Sequence, residues 1–241
     1  MALTKVRGAG LGTLSGDTTT VTLEDTSSHS ANTGPAISFK SKDSGGTTRE
    51  VAKIVGESHS GTDEGNLALQ TRNGGTLETK WKVHKNGNLL PSNTSYGIYL
   101  GVTSAGDANL LDDYEEGTFT ATMSNSVTLN SSPDLVSYTK VGRMVTVGGQ
   151  ILIDNANSGA ATEINNLPFA STSGSEDSNY YVGSVRLYNF DVPSDCVSVV
   201  CYTGGGSSNI TFVNNRDNAS SSSLAADSGG YLMFTITYFA A

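Results

Sequence analysis

The chain has 241 residues, which is long enough for one large all-β unit or for two small domains with real cores. Its 28 glycines and its 15% of charged residues are typical of short strands joined by many turns, and they disfavour long helices. The 23 acidic and 14 basic residues give a formal charge of -9, which disfavours nucleic acid and anionic membrane surfaces as partners.

The opening sequence, MALTKVRGAGLGTL, lacks the apolar core of a secretory signal, and nowhere does the chain have eighteen consecutive apolar residues. We therefore expect neither export by such a signal nor membrane insertion. Helical periodicity and coiled-coil heptads are also missing, so any oligomer must be held together by β-structure.

Residues 1 to about 109 contain few large apolar side chains, and these lie in short segments that alternate between apolar and polar positions. Leu67 and Leu69 share a face in one segment, and Trp81 and Val83 share a face in the next. A glycine pair and an Asn-Gly dipeptide between the segments are turn signals. A single copy could hardly bury enough apolar surface to offset its ordering entropy. The pattern therefore predicts strands whose core is shared between identical chains.

After Asp113 the predicted strands become longer and more apolar. Two of them place four large side chains on one face: Val145, Val147, Ile151 and Ile153, and Leu232, Phe234, Ile236 and Tyr238. Loops rich in Gly, Ser and Asn between such strands favour a β-sandwich of jelly-roll type over residues 110–241. Residues 214–230 are expected to form an exposed loop at one end of the sandwich, or a floppy connector without a role.

The segment 110–119, LLDDYEEGTF, contains four carboxylates: Asp112, Asp113, Glu115 and Glu116. Such a cluster can supply a catalytic pair or ligands for Ca²⁺. However, adjacent residues of an extended chain point to opposite faces, and no apolar surroundings are present to raise one pKa above the other. The glycine and the alternating acidic positions of a calcium loop are also missing. We therefore expect a polar linker, with a cation site or a catalytic site as alternatives.

Cys196 and Cys201 lack the second pair or the histidines that a zinc site needs, so we expect free and mostly buried thiols, with a local disulfide as the alternative. His29, His59 and His84 are far apart in the sequence and are expected to be solvated. The sequence has neither a nucleophile elbow nor a phosphate-binding loop. We therefore expect no metal, no cofactor and no enzymatic activity.

Tyrosines and amides near the expected loop ends have the chemistry that sugars require. Aromatic faces stack on the C–H surfaces of pyranoses, and amides or carboxylates bond to hydroxyls. The candidate carbohydrate-binding residues are Tyr180, Tyr188, Asn189, Tyr202, Asn215, Arg216 and Asp217. The same chemistry is found nearby at Asn179, Tyr181, Phe190 and Asn214. Because tyrosine is common in strands, a structural role is the alternative for each.

Three blocks follow one another in the second half of the chain: LLDDYEEGTFTATM, VSYTKVGRMVTVGGQILI and INNLPFAS. Together they resemble the C-terminal region of tailed-phage tail fibre and receptor-binding proteins. The matching residues are Leu111 to Thr120, Tyr138 to Arg143 and Leu167 to Phe169. With the preceding fibre-like segments, the resemblance covers roughly residues 35–171. The chain departs from the family pattern at Phe119-Thr120-Ala121, where Trp-Thr-Pro is frequent.

The resemblance implies a homotrimeric protein of the virion that attaches to a host-surface glycan. Residues 1–36 would then dock on other virion proteins of the tail or capsid, residues 37–109 would form an intertwined β-rich stalk, and residues 110–241 would form the distal tip. At the junction, Gly117 would let the chain turn and Phe119 would enter the sandwich.

Two alternatives belong to other functional classes. The first is a capsid head fibre or decoration protein, whose distal part is only displayed. The second is a tailspike that degrades polysaccharide, which the sequence supports less because such enzymes have a long β-helix of several hundred residues.

Overall fold

The computed structural model describes residues 23–26, 30–58, 64–101, 103, 110–156, 159–173 and 180–241. Within these ranges the chain forms antiparallel β-structure without a helix, which confirms the all-β prediction. The chain divides into two compact units, Met1–Tyr96 and Gly97–Ala241. The boundary predicted at residues 109 and 110 lies within the second unit. Of the predicted attachment segment, residues 23–26 and 30–36 are described.

The first unit contains a five-stranded meander, in which each strand pairs with the next along the chain. Its strands are β1 (Ala36–Lys42), β2 (Thr48–Ser58), β3 (Gly65–Asn73), β4 (Thr76–Val83) and β5 (Leu89–Pro91). The turn between β3 and β4 contains Gly74 and Gly75, whose φ angles of 55° and 93° are left-handed values that glycine adopts without strain. These strands follow the alternating segments that the sequence indicated.

One face of this sheet carries two adjacent apolar rows, and we call it the apolar face of the first sheet. The first row crosses all five strands by direct pairing and contains Ile37, Ile54, Leu69, Trp81 and Pro91. The second row lies two residues further along three of the strands and contains Leu67, Val83 and Leu89. Five of these side chains expose 38% to 55% of their surface: Ile37, Leu67, Leu69, Val83 and Leu89. A stable sheet normally covers such a face with a second layer.

The opposite face of the first sheet is more polar. Val55 and Ala68 pair with each other there and are buried. The carboxylate of Glu57 is buried on the same face, and its Oε2 lies 2.7 Å from Nζ of Lys82. The ion pair offsets part of the cost of removing water from this carboxylate. Leu90 pairs with Lys82, so the neighbours Leu89 and Leu90 belong to opposite faces of the sheet.

The second unit is built on a long antiparallel sheet and a small hairpin. Its strands are β6 (Ile98–Tyr99), β7 (Leu110–Leu111), β8 (Tyr114–Thr120), β9 (Thr128–Leu129), β10 (Leu135–Val141), β11 (Met144–Asn155), β12 (Glu163–Ile164), β13 (Tyr180–Tyr188), β14 (Cys196–Gly204), β15 (Ile210–Arg216), β16 (Ala219–Ser223) and β17 (Tyr231–Phe239). β6 pairs with β7. The order in the long sheet is β8, β10, β11, β17, β13, β14, β15, β12, while β16 pairs with β15 and β9 with β11.

This long sheet curls so that strands from both ends of its path contribute to one core. Val136 of β10 and Phe212 of β15 are fully buried in the same cluster. The cluster also contains the four predicted inward side chains of β17 and three of the four on β11, while Ile153 of β11 is buried in a second, smaller cluster. The periodicity predicted for these two strands is therefore confirmed. The Tyr238 hydroxyl donates to the carbonyl of Phe169 at 2.8 Å, so the polar atom of this buried ring is satisfied. The second unit is therefore a β-sandwich-like fold with a complete core.

The outer face of the second unit also has an apolar row, which we call the outer apolar row. Tyr114 pairs with Val141, Val141 with Met144, and Met144 with Phe239, so the row crosses four adjacent strands. These four side chains expose between 38% and 62% of their surface. The next row along the strands contains Glu116, Thr139, Thr146 and Thr237. An apolar band thus lies beside a mainly hydroxyl-bearing surface.

Gly117 was expected to let the chain turn, but it does not lie in a turn. It occupies the middle of β8, directly opposite Tyr138 of β10. A Cβ at residue 117 would lie 2.8 Å from the hydroxyl oxygen of Tyr138, because the tyrosine ring crosses over this position. The glycine therefore leaves space for a ring on the neighbouring strand. Phe119 packs against the core, as expected.

The prediction of a loop over residues 214–230 is also wrong for the eight of its 17 residues that lie in strands. Asn214 to Arg216 complete β15, and Ala219–Ser223 form β16, which pairs back onto β15. Asn218 turns the chain with a φ of 50°, a conformation that Asn tolerates better than most residues. The serines of β16 gave the segment its loop-like composition, although a strand at a sheet edge accepts such residues.

Candidate functional site

The outward surface of β13, β14, β15 and β16 contains a shallow groove of about 560 Å³. Alternating residues of three strands and consecutive serines of β16 line it: Tyr180, Val182, Val200, Tyr202, Val213, Asn215, Ser221, Ser222 and Ser223. We call this site the β13–β16 groove. The register explains the arrangement, because Val182 pairs with Tyr202 and Val200 pairs with Val213. Directly paired residues have neighbouring side chains on one face.

The apolar part of the groove has two tyrosines and three valines. The rings of Tyr180 and Tyr202 lie with centroids 5.8 Å apart and planes inclined by 59°. Tyr180 exposes 66% of its surface and Val182 exposes 65%, which is unusual for two such residues on one strand. These side chains therefore offer apolar contact area to another molecule.

Two polar residues of the lining, Asn215 and Ser221, form a row of hydrogen-bonded side chains with Ser198, which pairs with Asn215 on the adjacent strand β14. Nδ2 of Asn215 donates to Oγ of Ser198 at 3.0 Å. Oγ of Ser221 donates to Oδ1 of Asn215 at 3.1 Å. We call Ser198, Asn215 and Ser221 the polar row. These bonds fix the amide of Asn215 and leave its second N–H group and its second lone pair free for a ligand.

The structure brings together three of the seven predicted carbohydrate-binding residues. Tyr180, Tyr202 and Asn215 line the β13–β16 groove. Tyr188 lies at the opposite end of β13, where its ring contacts that of Tyr231 at 5.9 Å. Asn189 follows it, and its Nδ2 donates to the carbonyl of Gly229 at 3.1 Å. These last two residues therefore lie outside the groove, and their observed contacts are within the fold.

Arg216 and Asp217 also have roles within the fold. Nη2 of Arg216 lies 2.6 Å from Oδ2 of Asp195, and the hydrogen bond from this guanidinium holds the pKa of the Asp195 carboxyl below its ordinary value. The backbone N–H of Asp217 donates to the carbonyl of Asp195 at 2.9 Å. The two residues thus fasten the β15–β16 turn to the segment before β14.

Of the neighbouring candidates, Tyr181, Phe190 and Asn214 point inward. Tyr181 and Phe190 pack against the core, and Asn214 is buried. Asn179 lies outside the described residues. Val182, Val200 and Val213 were not among the predicted site residues, because valine in a strand is typical of a core. The signal that could have found them is the spacing of two residues in Tyr180-x-Val182, Val200-x-Tyr202 and Val213-x-Asn215.

Three of the four carboxylates of the segment 110–119 have partners within the fold. Asp113 forms an ion pair with Lys140. The hydroxyl of Tyr138 donates to Glu115 at 2.5 Å, and this hydrogen bond raises the pKa of the Tyr138 phenol. The hydroxyl of Tyr114 donates to Glu116 at 2.9 Å. These contacts agree with a structural role for the acidic cluster.

No three His, Cys, Asp or Glu side chains in the described ranges are grouped closely enough to hold a metal ion. Those ranges also contain no helix that is long and apolar enough to cross a membrane. His84 is half-buried, and its Nδ1 accepts from the backbone N–H of Asn86 at 3.4 Å. His29 and His59 lie outside the described residues.

Cys196 and Cys201 are both free, which confirms the prediction. They belong to one strand and are five residues apart, a separation of about 16 Å in an extended chain. A disulfide requires Cα atoms within about 7 Å. The alternative of a local disulfide is therefore wrong.

Comparisons of the chain with protein-family models, with curated proteins and with solved structures find no match.

Proposed function

We propose that this chain is a virion structural protein, a homotrimeric phage tail fibre that attaches to host-surface saccharide by non-covalent, multivalent binding. The observation that carries the proposal is the apolar face of the first sheet, with its two exposed rows across five strands. A second layer from identical chains would bury these rows, as expected for a fibre made of several copies. The outer apolar row on the second unit offers a further surface for the same contact.

The β13–β16 groove supports the attachment part of the proposal. Its tyrosines can stack on sugar rings, and its polar row can bond to sugar hydroxyls. The groove is shallow, so a single site would bind weakly. Three sites on each trimer and several trimers on each particle would convert weak binding into firm attachment. The resemblance of Leu111 to Thr120 and of the two following blocks to phage fibre proteins supports a location on the virion.

The proposal is tested by the mass and the competing activity of the purified full-length chain. We expect sedimentation to give the mass of three chains, because monomers would leave the apolar face in water. We also expect an excess of soluble protein to reduce adsorption of the virus to its host. A stable monomer would contradict the trimer, and failure to bind host cells or to compete with virus would contradict the attachment function. Electron microscopy of the particle would distinguish a tail fibre from a capsid fibre by position and copy number.

A further inference from the structure

We infer that the β13–β16 groove selects neutral saccharides and rejects sugars that carry carboxylate, sulfate or phosphate groups. This inference rests on the proposed attachment to a glycan and specifies the chemical class of the ligand. It follows from two properties of the groove, which are the charge of its lining and the balance of hydrogen-bond donors and acceptors along its polar row.

The lining of the groove is uncharged, since all nine side chains belong to Tyr, Val, Asn or Ser. An anionic group would lose water on binding and would need a cation in return. Arg216 is the cation on β15, and its guanidinium is already bonded to Asp195. Arg186 is the cation on the outward side of β13, four residues from Val182 and thus about 13 Å along the strand. The net charge of -9 opposes an anion further.

The polar row presents donors and acceptors together. Asn215 keeps one N–H group and one lone pair free, and Ser198, which accepts from Asn215, keeps its own hydroxyl proton. Ser221 donates to Asn215 and therefore faces a ligand with acceptor lone pairs. A sugar hydroxyl both donates and accepts, so it can satisfy each of these groups. A carboxylate or sulfate only accepts, and it would face the oxygens of Ser221 and Asn215 without a bond.

The apolar floor lies beside the polar row and completes the match to a pyranose. Val200 pairs with Val213 across β14 and β15, and Ser198 pairs with Asn215 two residues away. Tyr202 lies on the other side of Val200, also two residues away. A ring could therefore place its C–H face on valine and tyrosine and direct its hydroxyl edge toward Asn215. The spacing of two residues along a strand, about 7 Å, is near the width of one sugar ring.

A printed array of purified neutral and acidic bacterial surface polysaccharides tests the inference with the full-length protein. We expect binding to neutral polysaccharides only. Tyr202→Ala and Asn215→Asp should each weaken this binding by at least about tenfold, because they remove the stacking ring and the free amide donor. Tyr188→Ala is the matched control, since it removes an exposed tyrosine at the end of β13 that lies outside the groove, and it should leave binding unchanged.

The possible outcomes separate this inference from the proposed function. Binding to acidic polysaccharides, or neutral binding that both groove variants retain, would overturn the inference and leave glycan attachment standing. Absence of binding to every polysaccharide would overturn glycan attachment and the inference together. The oligomeric mass of each variant is also measured by sedimentation. If a second copy of the chain covered the groove, Tyr202→Ala would weaken that contact and change the oligomeric mass. That change would overturn the inference as well.

Discussion

Gly183 lies on the inner side of β13, where the adjacent strands approach its Cα closely. A Cβ at this position would lie 2.3 Å from the carbonyl oxygen of Thr235 and 2.6 Å from Sγ of Cys201. We expect Gly183→Ala to lower the free energy of unfolding by about 3 kcal/mol, since the backbone of β17 cannot move without breaking its own pairing. Urea unfolding followed by circular dichroism would measure this loss.

The matched control for that substitution is Ser184→Ala. Ser184 is the next residue on β13, and its side chain points outward and is exposed. Its replacement should change the free energy of unfolding by no more than about 0.5 kcal/mol. Equal stability of the two variants would show that the inner side of β13 has more space than the structure describes.

Burial raises the pKa of the Cys201 thiol to about 11, from an ordinary value of 9.0. Only the thiolate reacts with alkylating reagents, so Cys201 should stay unmodified by iodoacetamide at pH 8 in the folded protein. Cys196 is half-exposed and should react first. Mass spectrometry of peptides after brief alkylation would check this order. Rapid labelling of Cys201 in the native state would contradict the buried position of its side chain.

The same shift makes stability depend on alkaline pH. Between pH 9.0 and about pH 11 the unfolded chain loses the Cys201 proton while the folded chain retains it. The contribution of the neutral Cys201 thiol to the free energy of unfolding is therefore complete below pH 9.0, and it is lost as the pH rises through about 11.

At the scale of strands, β5 offers a direct test of the apolar face of the first sheet. Leu89 and Leu90 are adjacent and are exposed to 55% and 42%, but they lie on opposite faces. We expect Leu89→Asp to weaken self-association by more than about tenfold, because a carboxylate without a partner is costly in an apolar contact. Leu90→Asp places the same charge beside Lys82 and should preserve the oligomer. Sedimentation velocity over a range of concentrations would compare them, and equal behaviour of both variants would contradict this face as the contact.

The longer strands could be predicted from the sequence and the shortest ones could not. Val145 and Val147 lie on the inner face of β11 because a period of two residues persists over the whole strand. In contrast, β9 and β12 have two residues each, which is too short for any period to show. β16 consists of alanine and serine, and only its pairing with β15 makes it a strand. Tertiary contacts outweighed local composition in these segments.

For the whole molecule, we expect the proposed oligomer and the β13–β16 groove to make separate contributions to the proposed attachment. A single groove in the Leu89→Asp variant should bind soluble saccharide with unchanged affinity, because the variant is changed on a different unit. On a surface coated with the same saccharide, the variant should be retained 10²-fold to roughly 10⁴-fold less than the parent chain, since it lacks linked sites. Biolayer interferometry on the coated surface and calorimetry in solution would provide the two values. Equal retention on the surface would contradict multivalent attachment.

The all-β class of the fold and three of the groove residues could be predicted from the sequence. Tyr180, Tyr202 and Asn215 could be selected by their chemistry, and their common face depended only on strand register. Val200 and Val213 were missed, because their spacing of two residues from Tyr202 and Asn215 places them on the same face as these residues but does not tell whether that face remains uncovered. Arg216 was selected for its position near an expected loop end, yet its partner Asp195 is 21 residues away in sequence and becomes visible only in the fold.

The ring of Tyr138 over Gly117 links two positions that cannot vary independently. A side chain at residue 117 would displace the phenol, and Glu115 would then lose its hydrogen-bond donor. Conversely, a smaller residue at position 138 would leave a void above Gly117 and expose the backbone of this glycine on the edge strand β8. Substitutions that the fold accepts at these two positions should therefore occur as compensating pairs. In a double-mutant cycle, each single change should lower the free energy of unfolding, and the double change should lower it by less than the sum of the two.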